Sequence, residues 1–402
     1  MRLLYVAAGI AVPGSYGGST HTLEVARGLC QLGHEVHVVA HHPQRQWRAM
    51  LRPVDEVRDG IHMHYLDVPK AVGLGTYPQM ARLIRTLKPH AVIERYYNLA
   101  GAGVLVAARM GIPVLLEVNA LMIDPPGVLK RRLDDLLGGP LQRWAIRQCE
   151  LAARIVTPLQ TTVPPVIDRR KIVQLPWGAN VEEFRPRTEE ANDRLRQTLG
   201  IPPERPVAVF LGSFRAWHGV RDFVGAAVQL LHTGISMHFL LIGDGPERAA
   251  AEAASSRWSS HFTFLGSLRH SEVPQYLALA QVGVAPFNTA PHPALRAAGF
   301  FWSPLKIYEY MAMGLPVVTV RIPPLDNVIR EGQEGALFQE GNIDDLAAAM
   351  VRVVTSPERA AMGQQARERV VAHFSWQAHC KALEGVLEEI VSAAAKGQPH
   401  IA

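Results

Sequence analysis

Short apolar runs alternate along the chain with longer stretches in which apolar positions recur every three and four residues. In the first half the runs occupy residues 3–8, 36–39, 91–93, 114–118, 154–156 and 172–175; in the second they occupy 207–211, 238–242, 262–266, 282–286 and 317–320. Runs this short and apolar suit strands buried on both faces, with the intervening helices covering a parallel sheet. The pattern predicts an α/β chain of two Rossmann-like, doubly wound domains. A charged, proline-bearing stretch after residue 180 marks the boundary, so that 1–180 forms the first domain and 181–372 the second. Residues 373–402 carry Ala378, Leu383, Val386, Leu387, Ile390 and Val391, the apolar stripe of a last amphipathic helix.

Ligands of such sheets gather at the carboxyl ends of the strands. In the first half that rule points to Glu94, Arg95, Glu117, Asn119 and Asp124. Gly17 and Gly18 lie in a loop after the first strand, where backbone either approaches a ligand or simply turns tightly. Ser19 or Thr20 is expected to cap the helix that follows, to about residue 32. His21 reads as a helix-surface histidine or as an acceptor contact.

The most informative stretch is residues 303–316, S-P-L-K-I-Y-E-Y-M-A-M-G-L-P. Ser303 is the expected N-cap, Pro304 suits the first turn, and Gly314 with Pro316 stops the helix. Lys306, Glu309 and Tyr310 share one face. Backbone N–H groups around Pro304, Leu305 and Lys306 would seat a phosphate at the positive end of the helix dipole, and Glu309 would accept hydrogen bonds from hydroxyls one turn on. Phosphate and hydroxyls together describe a sugar nucleotide. The alternative is an ordinary surface helix with a Lys–Glu pair.

This stretch resembles the signature S-P-x-K-x-x-E-Y-M-A-x-G-x-P-V-V of family 4 glycosyltransferases, retaining enzymes of the GT-B fold, and every fixed position is met. Residues 175–186 also resemble the family's hinge, although Trp177 and Asn180 depart from its commonest form. The resemblance implies two Rossmann-like domains facing a cleft, with the C-terminal helix crossing back to the first domain. It implies that the Gly17–Gly18 loop faces the donor diphosphate. Relatives supply an arginine and a lysine from a G-R-x-x-x-x-K-G loop; here Ser213 and His218 stand at those positions, with Arg215 near enough to substitute. A second departure is Phe301, which occupies the first glutamate position of the family's E-x7-E pattern and leaves Glu309 for the ribose. Sugar contacts would then come from Ser303 or residues 287–299. Carried over residue by residue, Lys306, His218 and Asn119 are expected to be catalytic. Gly17, Gly18, His21, Ser213, Arg215, Gly243, Ser303, Pro304, Leu305 and Glu309 are expected to bind substrate. Lys306 is the only permanent side-chain cation that the motifs place at the phosphates.

Composition narrows the class without naming it. At 48% hydrophobic and 19% charged the chain is that of an ordinary globular protein. Cys30, Cys149 and Cys380 are odd in number and widely spaced, which favours a reducing compartment and core-filling roles. Residues 2–12 suit a buried first strand better than a secretory signal, and no run reaches the ~18 apolar residues of a membrane span. The chain contains no D-x-D sequence and no histidine, cysteine or aspartate cluster at metal spacing, so no metal and no cofactor is expected.

Charge is uneven: residues 1–178 hold 21 Lys/Arg against 13 Asp/Glu, and the remainder hold 20 against 23. A basic first half favours an anionic surface or a phosphorylated acceptor. Leu121, Met122 and Ile123 beside Lys130, Arg131 and Arg132 read as a contact with an anionic membrane or as an interdomain loop. Arg169, Arg170 and Lys171 form a second cluster of the same kind. Basic residues are not interleaved with stacking aromatics, so no nucleic acid is expected.

The expected function is transfer of a sugar from a UDP- or GDP-sugar to a glycan or lipid-linked acceptor in envelope or exopolysaccharide assembly. The expected location is the cytoplasm, with peripheral contact on the inner membrane face left open. Two other readings stand beside it: a sugar-nucleotide epimerase of the same architecture, and a non-catalytic protein that retains the nucleotide site.

Overall fold

The computed structural model describes residues 1–14, 17–44, 54–68 and 70–397. The chain forms two compact units. The first comprises Met1–Trp177, Phe301–Ser303 and the segment from Trp376 onward; the second comprises Gly178–Phe300 and Pro304–Ser375.

In the first unit β1 (Arg2–Ala11), β2 (Glu35–His41), β3 (Val54–Arg58), β4 (Ile61–Tyr65), β5 (Ala91–Arg95), β6 (Val114–Glu117), β7 (Arg154–Thr157) and β8 (Ile172–Gln174) form a sheet. Its order is β3-β4-β2-β1-β5-β6-β7-β8. Neighbours run parallel except β3 and β4, which pair antiparallel. Leu3, Leu4 and Tyr5 of β1 are fully buried, as a central strand covered on both faces requires. The β3–β4 hairpin does not stand among the apolar runs of the sequence. The reason is physical: β3 is an edge strand, so VDEVR carries three charged residues and no apolar run, and β4 reads IHMHY.

The helix Gly17–Gln31 starts at the glycines, so Ser19 and Thr20 lie inside its first turn and do not cap it. The last helix, Trp376–Ala395, packs against it within the same unit. Cys149 and Cys380 are buried free thiols and Cys30 is half-buried.

The second unit contains β9 (Val207–Leu211), β10 (His238–Ile242), β11 (Phe262–Gly266), β12 (Val282–Ala285), β13 (Val317–Val320) and β14 (Gly335–Phe338), all parallel, in the order β11-β10-β9-β12-β13-β14. The helix Leu305–Ala312 feeds β13, and its residues 306 to 312 are all buried, which excludes the surface-helix reading. Tyr310 locks it to the sheet: its hydroxyl accepts from the Leu211 N–H at 2.7 Å and donates to the Val284 carbonyl at 3.3 Å. Among the described residues no helix is long and apolar enough to cross a membrane.

Candidate functional site

In the second unit the turn after β9 and the start of the helix Leu305–Ala312 bring Ser213, His218 and Lys306 together. Lys306 Nζ lies 3.1 Å from His218 Nδ1, and Ser213 Oγ lies 3.1 Å from His218 Nε2. While Lys306 is protonated it can only donate, so Nδ1 is then the acceptor and the neutral ring carries its proton on Nε2, facing the serine. Glycine makes the approach possible. Gly212 has φ +137°, and a Cβ there would stand 2.8 Å from His218 Nδ1 and 2.9 Å from Lys306 Nζ. Gly243, at the end of β10 with φ +133°, is crossed so closely that a Cβ would stand 1.9 Å from the Gly212 carbonyl oxygen.

Burial sets the electrostatics of this cluster. Lys306 is 6% exposed, sits over the rings of Phe210 and Phe287 at 4.4 and 4.8 Å, and forms no ion pair among the described residues. Burial lowers its pKa to about 7, against a weaker opposing pull from Glu309. The expectation of a permanent cation is therefore corrected: in the ligand-free protein its charge depends on what approaches. His218 is pushed down to about 2 by burial first, then by the charges of Lys306 and Arg215. Its ring also packs on Trp217, with centroids 3.8 Å apart. Arg215 is exposed and lies at the edge of this cluster. Glu309, one turn beyond Lys306, holds His270 Nε2 at 2.8 Å through Oε1.

Ser303 does not cap the helix. Pro304 occupies the N-cap position with no side-chain cap, and Ser303 Oγ instead accepts the Trp177 N–H at 3.0 Å within the first unit. Proline's ring restricts residue 303 to extended backbone, which turns its hydroxyl away from the helical amides.

In the first unit a second polar cluster stands at the carboxyl ends of β1, β5 and β6. Arg95 Nη1 donates to Glu117 Oε1 at 2.9 Å and lies 3.0 Å from His21 Nδ1, while the Tyr5 hydroxyl donates to Glu117 Oε2 at 2.5 Å. Asn119 donates to Glu117 through Nδ2 and accepts the Trp177 indole N–H at 2.7 Å. His21 is not on the helix surface: it is 1% exposed, with Nε2 unpartnered and its ring 4.4 Å from that of Trp177. Burial, then Arg95 and His379, hold it well below the usual histidine range. Gly17 lies beside Trp177, and Gly18 lies beside Ile10 and Arg95. Tyr5 and Trp177 carried no site signal in the sequence, since one sits in a strand core and the other in the hinge.

Several expected surface groups are structural. Met122 is buried and Ile123 packs against the core, while Leu121 is half-buried. Lys171 is buried and donates to the carbonyls of Glu150 and Ala152. Arg170 pairs with Asp168.

The fold is that of known GT-B enzymes. The sucrose-phosphate synthase of Thermosynechococcus elongatus superposes with a TM-score of 0.70 at 18% identity, covering 98% of this chain and 99% of that one. Anabaena HepE in complex with UDP gives 0.70 at 16% identity, covering 97% and 100%. At these identities the likeness speaks for fold alone.

Residues 16–178 match the model of the glycosyl transferase 4-like domain, and residues 205–356 match that of glycosyl transferases group 1. The chain belongs to family 4 of the glycosyltransferases, and it is a glycosyltransferase. Among curated relatives, the α-D-kanosaminyltransferase of Streptomyces kanamyceticus is 24% identical over 71% of this chain and 73% of its own length. The 2-deoxystreptamine N-acetyl-D-glucosaminyltransferase of Streptomyces fradiae is 28% identical over 69% and 66%. The chain thus spans about two thirds of the length of these relatives.

Proposed function

We propose that the second unit binds a nucleotide sugar, a UDP- or GDP-sugar, through the Ser213–His218–Lys306 cluster, and that transfer needs no metal and no cofactor. The observation that carries this reading is Lys306: a buried lysine with no carboxylate partner is costly unless an anion supplies one. A diphosphate would hold Lys306 charged and take hydrogen bonds from Ser213 and from the free N–H groups at Leu305 and Lys306, beside Pro304. Gly243 and Gly212 would let the backbone come close, and Arg215 would add charge from the edge. Glu309 would accept from the ribose hydroxyls, exchanging its bond to His270. The departing phosphate would then assist removal of the acceptor proton, with the configuration at the sugar retained.

The first unit would meet the acceptor, with Asn119, His21, Gly17 and Gly18 as its contacts. A glycan or lipid-linked acceptor of envelope or exopolysaccharide assembly, met at the cytoplasmic face of the membrane, fits the helix Leu129–Leu136. Leu129, Leu133 and Leu136 there are 71%, 53% and 82% exposed, beside the exposed Arg132. Lys130 and Arg131 are partly offset by Asp124 and Asp135. The names of the Streptomyces relatives favour a second reading, a small aminocyclitol acceptor.

Thermal shift with UDP-, GDP- and ADP-sugars, followed by donor hydrolysis and transfer assays on lipid and aminocyclitol acceptors, tests the proposal. Stabilisation by one nucleotide series and slow release of its sugar are expected. Absence of any stabilisation would contradict it.

A further inference from the structure

The edge of the first sheet holds a cluster far in sequence from the chemistry above. Alternation places Glu35 and His37 on one face of β2, and the pairing of β4 with β2 sets His62 opposite His37 and His64 opposite Val39. Asp55 of β3 lies opposite His64. The sequence signals were E-x-H in one strand and H-x-H in another. They are legible only once the register of two strands about 25 residues apart is known.

The hydrogen bonds form a chain with one proton too few. His64 Nδ1 faces Asp55 Oδ1 at 2.7 Å, His64 Nε2 faces His37 Nδ1 at 3.0 Å, and His37 Nε2 faces Glu35 Oε1 at 3.0 Å. Three contacts between acceptor carboxylates and two imidazoles need three protons, and two neutral imidazoles carry two. If His64 donates to Asp55 and His37 donates to His64, a ring lone pair of His37 confronts a carboxylate oxygen. Arg2 Nε also donates to that oxygen, at 2.8 Å. An extra proton would make one of the two rings an imidazolium, His64 beside Asp55 or His37 beside Glu35; both rings are nearly buried, at 8% and 5% exposed, and His37 lies under the stacked ring of His62 at 4.5 Å. A cation between His37 Nε2 and Glu35 satisfies both lone pairs.

We propose that Glu35, His37 and His62 form a binding site for a divalent transition-metal ion of the Zn2+ class. Their ligand atoms lie within 4.8 Å of one another. Tetrahedral ligands at about 2.1 Å from zinc stand about 3.4 Å apart, and the lone pairs of an imidazole lie in its ring plane, so the partly exposed His62, now stacked on His37 at 19°, has to rotate its ring to aim a nitrogen at the ion. Two imidazole nitrogens and one carboxylate oxygen suit Zn2+, Co2+ or Ni2+ and not Mg2+ or Ca2+. The His64–Asp55 pair stands behind His37 as the outer partner that fixes its tautomer and orientation. The ion would lie toward the amino ends of β2 and β4, away from the strand ends that carry the transferase residues. It would tie the edge of the sheet and take no part in sugar transfer.

The test is equilibrium dialysis of chelator-stripped full-length protein against Zn2+ alone, with metal quantified by mass spectrometry and the site geometry read from the visible spectrum of Co2+. One Zn2+ per chain is expected, with a tetrahedral Co2+ spectrum. His62→Gln and Glu35→Gln should each weaken binding at least tenfold, and Asp55→Asn should weaken it about ten- to a hundredfold. His62 and Glu35 are not core positions, and far-UV circular dichroism of each variant checks its fold. Should either variant fail to fold, the Zn2+-induced rise in melting temperature of the wild type, absent with Mg2+, still reads the site. Undiminished Zn2+ binding in the folded double variant Glu35→Gln, His62→Gln, or no binding by the wild type, overturns the proposal.

Discussion

The two polar clusters at the strand ends look alike in composition and differ in their charge balance. In the first unit the buried cation Arg95 already has its anion: Glu117 and Tyr5 outweigh the burial that disfavours its charge, and its pKa is raised. In the second unit the buried cation Lys306 has a neutral imidazole and two aromatic rings for neighbours, and its pKa falls. A compensated charge builds a rigid frame, whereas an uncompensated one is a vacancy for an anion. In the proposed function that difference would separate a scaffold for the acceptor half from a seat for the donor phosphates.

Substitution breaks this comparison in opposite directions. Arg95→Met should destabilise the first unit by about 3–5 kcal/mol, because it leaves Glu117 buried without its partner; urea unfolding measures it. Lys306→Met should leave the melting temperature unchanged or raise it, since it removes a buried charge without orphaning another. It should nevertheless lower kcat by about 10²–10³-fold, the usual loss when one preorganised donor at a developing negative charge is removed. The smallest effect belongs to Tyr5→Phe, about 1–3 kcal/mol of stability from one lost hydrogen bond to Glu117, with little change in donor affinity. Equal loss of stability in the Arg95 and Lys306 variants would erase the distinction between the two clusters.

Much of the fold was legible in the sequence because central parallel strands carry apolar runs, as in residues 3–8 of β1, 91–93 of β5, 207–211 of β9 and 239–242 of β10. What was missed lies at or beside the sheet edges: β3 is an edge strand with three charges in five residues, β4 beside it carries two histidines, and β14, GALF, is only four residues long. The helix Leu305–Ala312 was legible from its stop signals, yet its cap was not. Ser303 carries the right side chain, but its hydroxyl is taken by Trp177, 126 residues earlier. The grouping of Ser213, His218 and Lys306 followed from the resemblance to the family's motifs, whereas the charge state of Lys306 did not. Motifs report neighbours, and only packing reports desolvation. The same holds for His21, whose place in a helix says nothing of the Arg95 and Trp177 packed against it.

The most direct test is the pH dependence of nucleotide binding. In the ligand-free fold Lys306 has a pKa near 7, below its unfolded value, so it loses its proton as pH rises through 7 and a bound diphosphate has to restore it. The folded protein alone should accordingly gain stability between about pH 7 and 10.5, where only the unfolded chain retains that proton. Calorimetric titration with UDP and GDP from pH 6 to 9 should show affinity falling as pH rises above 7, by up to tenfold per unit, with net proton uptake on binding. In Lys306→Met that dependence should vanish along with most of the affinity. A flat profile in the wild type, or an unchanged one in the variant, would contradict the assignment of Lys306 as the anion seat.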